Sequence, residues 1–214
     1  MLKTSMTLGL VRILMALALF GSVFWQISDR VAHNLFRPTE YFSFFTITSS
    51  LLAGVALTVA GLRALRNQPE TKFLTLFRLT MAASMVIVGV IYNALLANAA
   101  LDPRDVGYEW PETPNQVLHT YMPIFIFLEW LIVRTAVPLK LKSVFWVLVY
   151  PFSWLAFSIV RGLVTNWYPY WFLNPNDEGG IPQMIQWILI IAAFFIVLAV
   201  TLMPAQKALA KIGK

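Results

Sequence analysis

Two polar residues that could carry out nucleophilic chemistry lie inside apolar stretches of this sequence. Thr46 follows Phe44-Phe45, and His119 lies four residues after Asn115. A hydroxyl beside an imidazole is the smallest pair for nucleophilic catalysis, because the histidine takes the proton as the oxygen attacks a carbonyl. Each residue also has a simpler interpretation. A threonine in an apolar helix commonly bonds the carbonyl one turn back, and a lone histidine at a helix end often only packs.

Further polar side chains are expected at the level of this pair. They are candidates for substrate binding or for stabilising an oxyanion: Asn115, Asn93, Ser50, Arg161, Tyr168 and Tyr170. Asparagines can instead bridge helices, and tyrosines at a membrane surface form the ordinary aromatic belt. Ser50 also belongs to a face of small residues at three- and four-residue spacing, which predicts a close helix contact.

Two charged residues, Arg12 and Glu129, lie deep within apolar stretches and each needs a partner. We predict that they pair with one another. A structural salt bridge is favoured over a proton relay, because no chain of ionisable residues continues from Glu129 to His119. The sequence has no cysteine. Two histidines without nearby carboxylates make a poor metal site, so no metal and no cofactor are predicted.

The composition indicates that the helices carrying these residues lie in a membrane. Of 214 residues, 59% are hydrophobic and 12% are charged, and the mean hydropathy is +0.71. A soluble fold of this length could not bury so much apolar surface. Continuous apolar runs of about 20 residues are typical of membrane-spanning helices. We therefore predict an all-α, compact bundle of six transmembrane helices that forms a single transmembrane domain over residues 1–214, with spans near residues 8–27, 43–62, 77–101, 117–135, 143–164 and 181–203.

The basic residues predict how this bundle is oriented. Twelve of the sixteen Lys and Arg residues fall at one set of helix ends, and only Arg30, Arg37, Arg104 and Arg161 fall at the other. Basic residues near helix ends are retained in the cytoplasm, so both termini are expected there. The basic residues flank spans and form no patch, which excludes a nucleic-acid-binding role. In this orientation Thr46 and His119 both lie in outermost helical turns, where they could meet.

Several short motifs resemble one family of membrane proteins. They are Phe44-Phe45-Thr46, Asn115-x-x-x-His119 followed by Pro123, Arg161-Gly162, and Tyr168-Pro169-Tyr170-x-Phe172-Leu173. In this order they are similar to the androgen-induced-gene-like family of six-helix membrane proteins, and the sequence resembles a bacterial branch most closely. The resemblance implies threonine-dependent hydrolysis of fatty acid esters of hydroxy fatty acids, the activity of animal members. It also implies that Thr46 and His119 are the catalytic pair.

Together these features predict an intramembrane lipid-ester hydrolase, in a bacterial cytoplasmic membrane, whose lipid substrate arrives sideways from the outer leaflet. Thr46 would attack the ester, and His119 would act as general base and then general acid. Asn115 would orient His119 or bind the oxyanion, and Asp102 or Asp105 could also orient the ring. The alternative is a non-enzymatic lipid-binding protein or small transporter that uses the same polar pocket.

Overall fold

The computed structural model describes residues 2–99, 102–133, 137 and 139–212, and within them all regular structure is helical. The α-helices are α1 (Leu2–Ala32), α2 (Pro38–Tyr41), α3 (Phe45–Leu65), α4 (Lys72–Ile91), α5 (Glu112–Gln116), α6 (Met122–Ile132), α7 (Ser143–Thr165) and α8 (Gly180–Ile212). Two π-helical turns, Tyr92–Leu96 and Val117–Tyr121, continue α4 and join α5 to α6. Two short 3-10 turns, Pro103–Asp105 and Trp171–Leu173, lie in loops.

Five of these helical segments are long and apolar enough to cross a membrane: Ser5–Ala32, Phe45–Leu65, Lys72–Leu96, Ser143–Thr165 and Gly180–Pro204. They correspond to five of the six expected spans, so the chain is a multi-pass, helical membrane protein. The remaining expected span, 117–135, corresponds to a continuous helical run from Glu112 to Ile132, in which a π turn separates two α-helical pieces. Its expected end, Thr135, and the expected end of the third span, Leu101, lie outside the described residues.

The third span begins five residues earlier than expected, because Thr71 caps α4. Thr71 has extended backbone angles, and its side-chain oxygen accepts a hydrogen bond from the Leu74 N–H at 3.2 Å. This satisfies one of the N–H groups left free at a helix start. Arg78 therefore lies inside the helix and is buried, although the apolar run alone placed it at a helix end.

α3 and α4 form the centre of the bundle and are mostly buried, whereas α7 and α8 expose most of their surface. The predicted small-residue face brings α3 close to α1. A Cβ on Gly54 would lie only 2.6 Å from Phe20 Cζ, so a larger residue there would push the helices apart. α7 and α8 contact α4 from the outside.

Two ionic clusters fasten the elements at opposite ends of the bundle. In the first, Arg12 and Arg78 both donate to Glu129, and both also pair with Glu70. The predicted Arg12–Glu129 pair is thus present. In the second, residues of α1, α2 and the Pro103–Asp105 region pair with one another: Arg30, Arg37, Glu40, Asp102, Arg104 and Asp105. The second cluster holds the loop before α5 against the ends of α1 and α2.

Candidate functional site

An apolar cavity lies between the central helices α3 and α4 and the peripheral helices α7 and α8. Among the described residues, Thr46 and Tyr170 alone bring hydroxyl groups to its lining. The Trp154 indole also borders the cavity and donates its N–H to the Ser43 carbonyl at 3.0 Å. All other lining residues are apolar: Phe45, Ile87, Val88, Ile91, Leu96, Pro151, Phe152, Leu155, Phe172, Leu173, Ile188, Ile191, Ala192 and Phe195. A long hydrocarbon chain matches this lining, with one polar end at Thr46.

Thr46 is buried and is the second residue of α3, where backbone N–H groups need acceptors from outside the helix. The first N–H groups of a helix have no acceptor within it, and Phe44, which precedes α3, supplies no side-chain cap. The Tyr170 hydroxyl faces this helix start and interacts with the Thr46 side chain and with the backbone of Phe45 and Thr46. The Phe45 and Thr46 N–H groups and the Thr46 side chain therefore converge on the Tyr170 hydroxyl.

Aromatic packing fixes the position of Tyr170. Its ring stacks on Phe172 with centroids 5.1 Å apart and contacts Phe44 and Trp154 at 5.8 and 5.9 Å. Burial raises the pKa of Tyr170 to about 12, although its contact with Thr46 opposes that shift. The hydroxyl is therefore protonated near neutral pH and can donate a hydrogen bond.

His119 lies in the middle of the π turn Val117–Tyr121, and its ring has a hydrogen bond at one edge and a stacked aromatic ring on one face. Its Nδ1 lies 2.9 Å from the carbonyl oxygen of Asn115, and its ring stacks on Tyr92 with centroids 3.8 Å apart and planes 17° from parallel. A carbonyl oxygen only accepts hydrogen bonds, so Nδ1 carries the proton in the neutral ring. Nε2 is then the basic nitrogen.

The backbone of His119 is fixed by three residues around it. Pro123 lies four residues later and has no N–H, so the His119 carbonyl lacks its α-helical partner. The Asn93 side chain replaces it, donating to the carbonyls of His119 at 3.2 Å and Gly89 at 2.8 Å. Gly89 permits this close approach, since a Cβ there would lie 2.9 Å from Pro123 Cβ.

Thr46 and His119 are on neighbouring elements but face different sides of α4. The cavity that contains Thr46 is lined on α4 by Ile87, Val88 and Ile91, whereas the turn carrying His119 packs on Gly89, Tyr92 and Asn93. The π turn contacts α3 as well as α4. Within the described residues no hydrogen bond joins Thr46 Oγ1 to the His119 ring.

The other predicted residues divide among three places. Asn115 lies with His119, and its side-chain amide donates to the Tyr92 hydroxyl at 2.6 Å. Ser50 is one turn below Thr46 and contacts the sulfur of Met85 at 3.9 Å. Arg161 lies in the last turns of α7, and Tyr168 lies in the segment between α7 and α8.

Arg161 and Tyr168 organise that region locally. Arg161 donates to the Trp167 carbonyl at 3.3 Å and lies over its indole ring at 4.5 Å. The Tyr168 ring packs so closely on Gly162 that a Cβ there would lie 2.0 Å from it. Neither residue lines the cavity.

The expectation that Asp102 or Asp105 orients His119 is wrong. Asp105 binds Arg30 and Arg37, at 2.8 and 2.6 Å, and Asp102 binds Arg104. The Asn115 carbonyl holds the imidazole instead. A backbone carbonyl in this role leaves no trace in the residue types, since any residue at position 115 would supply one.

Sequence reasoning did not identify Tyr92. A tyrosine near the end of a span is usually read as part of the aromatic belt. The available signal was spacing: Gly89, Tyr92 and Asn93 recur at i, i+3 and i+4, which places them on one helix face. That face is the one that packs on His119.

Similarity to a known protein family covers most of the chain. The family model described as FAR-17a/AIG1-like protein matches residues 8–206 of the chain. Comparisons with curated proteins and with solved structures yielded no match.

Proposed function

Because the chain belongs to the FAR-17a/AIG1-like family, we propose that it is an intramembrane lipid-ester hydrolase in which Thr46 is the nucleophile and His119 the base. The observation that carries this proposal is that Thr46, beside Tyr170, supplies a hydroxyl to the lining of an otherwise apolar cavity. A lipid ester has the same division, with a polar carbonyl at the end of a long hydrocarbon chain. Fatty acid esters of hydroxy fatty acids, the substrates of animal members, are the proposed class.

In the proposed reaction the Thr46 oxygen attacks the ester carbonyl while Nε2 of His119 takes the hydroxyl proton. The tetrahedral oxyanion receives a hydrogen bond from the Tyr170 hydroxyl. Its collapse breaks the ester bond, and the leaving alkoxide takes the proton from His119. Water, deprotonated by His119, then attacks the acyl-threonine, which releases the fatty acid and restores Thr46.

This reaction requires Thr46 and His119 to come together when substrate fills the cavity, because they are not hydrogen-bonded in the structure. Catalytic hydrogen bonds are often long without substrate and tighten in the complex. The contact between α3 and the π turn of His119 limits the movement that is needed. We further propose that the 214 residues form a single domain of six spans with both termini cytoplasmic, in a bacterial cytoplasmic membrane, so that the cavity faces the outer leaflet.

The test is labelling of the detergent-purified protein with a fluorophosphonate probe, which reacts with activated hydroxyl nucleophiles. We expect labelling of the parent protein and its loss in Thr46→Ala and in His119→Ala. Thr58→Ala is the matched control, since Thr58 is on the same helix and only bonds the Gly54 carbonyl at 2.8 Å. A folded Thr46→Ala protein that is labelled, or that hydrolyses lipid esters, as fast as the parent overturns the proposal.

One observation favours a second function, the binding of lipid without hydrolysis. The Thr46 hydroxyl faces Tyr170, and His119 faces Tyr92 on another side of α4. A passive binder would retain lipid after purification, visible by native mass spectrometry, and would show no probe labelling in the folded parent protein. Bound lipid combined with labelling of Thr46 supports the hydrolase instead.

A further inference from the structure

The Tyr92 ring and the Asn115 backbone carbonyl hold the imidazole of His119, and the Asn115 side chain joins the two. Tyr92 covers one face of the ring at 3.8 Å between centroids. The Asn115 carbonyl accepts from Nδ1 at 2.9 Å, and the Asn115 side-chain amide donates to the Tyr92 hydroxyl at 2.6 Å. Asn115 thereby contacts the edge of the His119 ring with its carbonyl and holds Tyr92, which covers the face of that ring, with its side chain.

The two kinds of contact restrict different movements. The hydrogen bond to Asn115 selects the tautomer but lets the ring turn about the Nδ1–O direction. The stacked Tyr92 ring prevents that turn, because an imidazole that rotated out of plane would lose the aromatic contact. Asn93 and Pro123 already fix the backbone beneath it. With all these contacts in place, the direction in which Nε2 points is determined.

We propose that Tyr92 is the positioning residue for His119 and acts through its ring rather than through its hydroxyl. The contribution of Tyr92 to catalysis rests on the proposed hydrolase activity, whereas its effect on the orientation of the His119 ring does not. Positioning matters because a misplacement of about 1 Å can reduce a rate by about 100-fold. Tyr92 is not placed in the apolar cavity, so its substitution should leave substrate binding largely unchanged.

The proposal is tested by the rate at which diethyl pyrocarbonate modifies His119, followed by mass spectrometry of the intact membrane protein in detergent. In Tyr92→Leu we expect this rate to rise by up to about 10-fold, because the loss of an aromatic pair exposes the ring. Tyr92→Phe keeps the stacked ring and should react as the parent does. His33, whose side chain is 56% exposed, is the only other histidine, and it serves as an internal standard.

Tyr121→Leu is the matched control, because Tyr121 ends the same π turn but is 52% exposed. It should leave the reactivity of His119 unchanged. An unchanged rate in Tyr92→Leu, or an equal rise in Tyr92→Phe, overturns the proposal. If Tyr92→Leu does not fold, Tyr92→Met is read in the same way.

Hydrolysis then separates this inference from the proposed function. If the chain is a hydrolase, Tyr92→Leu should lower kcat by about 10- to 100-fold with little change in KM, and Tyr92→Phe should stay close to the parent. Enhanced modification of His119 in a protein that proves inactive would support the positioning role and overturn only the hydrolase. Parent-like hydrolysis by Tyr92→Leu would overturn the claim that positioning of His119 by Tyr92 contributes to catalysis.

Discussion

Arg12 Nε lies 2.7 Å from Glu129 Oε1 in the interior of the helix bundle, between residues 117 positions apart in the chain. Arg78 donates to the same carboxylate, and Glu70 pairs with both arginines. Two positive and two negative charges are thus removed from water together. A buried pair contributes little net stability, but removal of one partner leaves an uncompensated charge.

Glu129→Gln should therefore strongly destabilise the protein, by about 3–5 kcal/mol, because it leaves Arg12 and Arg78 facing a neutral amide. The measurement is unfolding in detergent micelles, with the parent and the variant compared at equal detergent concentration. Glu109→Gln is the control, since Glu109 is exposed and should change stability by less than about 0.5 kcal/mol. Equal stability of Glu129→Gln and the parent would contradict the interpretation.

The sequence predicted the Arg12–Glu129 pair because a charge deep in an apolar helix needs a partner. It did not predict that Arg78 and Glu70 join the pair. Arg78 was placed at a helix end because the apolar run starts at Phe77, and only the Thr71 cap shows that the helix begins earlier. Helix ends depend on capping geometry, whereas helix centres follow hydropathy.

The residue types identify Thr46 and His119 as candidates, but they do not tell which way the two side chains face. Asn115, His119 and Pro123 follow α-helical spacing, which would place all three in one stripe. The π turn Val117–Tyr121 changes the rotation per residue within that stripe. The sequence could therefore place Thr46 and His119 at one level of the bundle, but not on a common face.

The second ionic cluster should make stability depend on pH under acidic conditions. The hydrogen bond from Arg104 holds the pKa of the Asp102 carboxyl well below its usual range. Below about pH 3.9 the unfolded chain binds a proton that the folded chain does not. The stabilisation is therefore complete above that pH and is lost as the pH falls towards the folded-state pKa.

Asp102→Asn should remove part of this acid dependence. Because the Arg104 side chain is 47% exposed, the effect should be at most about 1 kcal/mol. The measurement is the thermal midpoint between about pH 6 and pH 3, where carboxylates take up protons. Glu109→Gln should retain the full slope of the parent, and an equally steep slope in Asp102→Asn would contradict the prediction.

The Tyr170 hydroxyl should matter for turnover. Tyr170→Phe removes the donor that faces Thr46 but keeps the ring that packs on Phe172. Loss of one oxyanion donor typically lowers kcat by about 100-fold or more, so we expect that decrease with KM nearly unchanged.

Tyr168→Phe is the control for Tyr170→Phe, because it makes the same change in the same loop at a ring that packs on Gly162 outside the cavity. Tyr168→Phe should unfold at the temperature of the parent, and Tyr170→Phe below it, because the Phe45 and Thr46 N–H groups lose an acceptor; hydrolysis is compared at a temperature where both are folded. Parent-like hydrolysis by Tyr170→Phe would exclude its hydroxyl from the transition state.

The cavity wall on α8 offers a pair of neighbouring positions that tests where the lipid chain lies. Ala192 lines the cavity, and Ala193, the next residue, is exposed on the outer surface. A tryptophan at position 192 would fill part of the cavity on its α8 side, whereas one at position 193 would point into the surrounding lipid. Ala192→Trp should therefore reduce the retention of long-chain lipid in native mass spectrometry. It should also raise KM for long-chain esters by about 10-fold or more, because several methylenes of the lipid lose their buried contacts.

Ala193→Trp should bind and hydrolyse as the parent does, which separates occupancy of the cavity from the general effect of a bulky residue on α8. A short-chain ester that does not extend past Thr46 should be hydrolysed equally by both variants, because it does not need the space at position 192. If both tryptophans reduce long-chain binding equally, the lipid lies on the outer surface of α8. If neither does, the chain runs elsewhere in the bundle, and Thr46 loses the apolar cavity that makes it a candidate nucleophile for lipids.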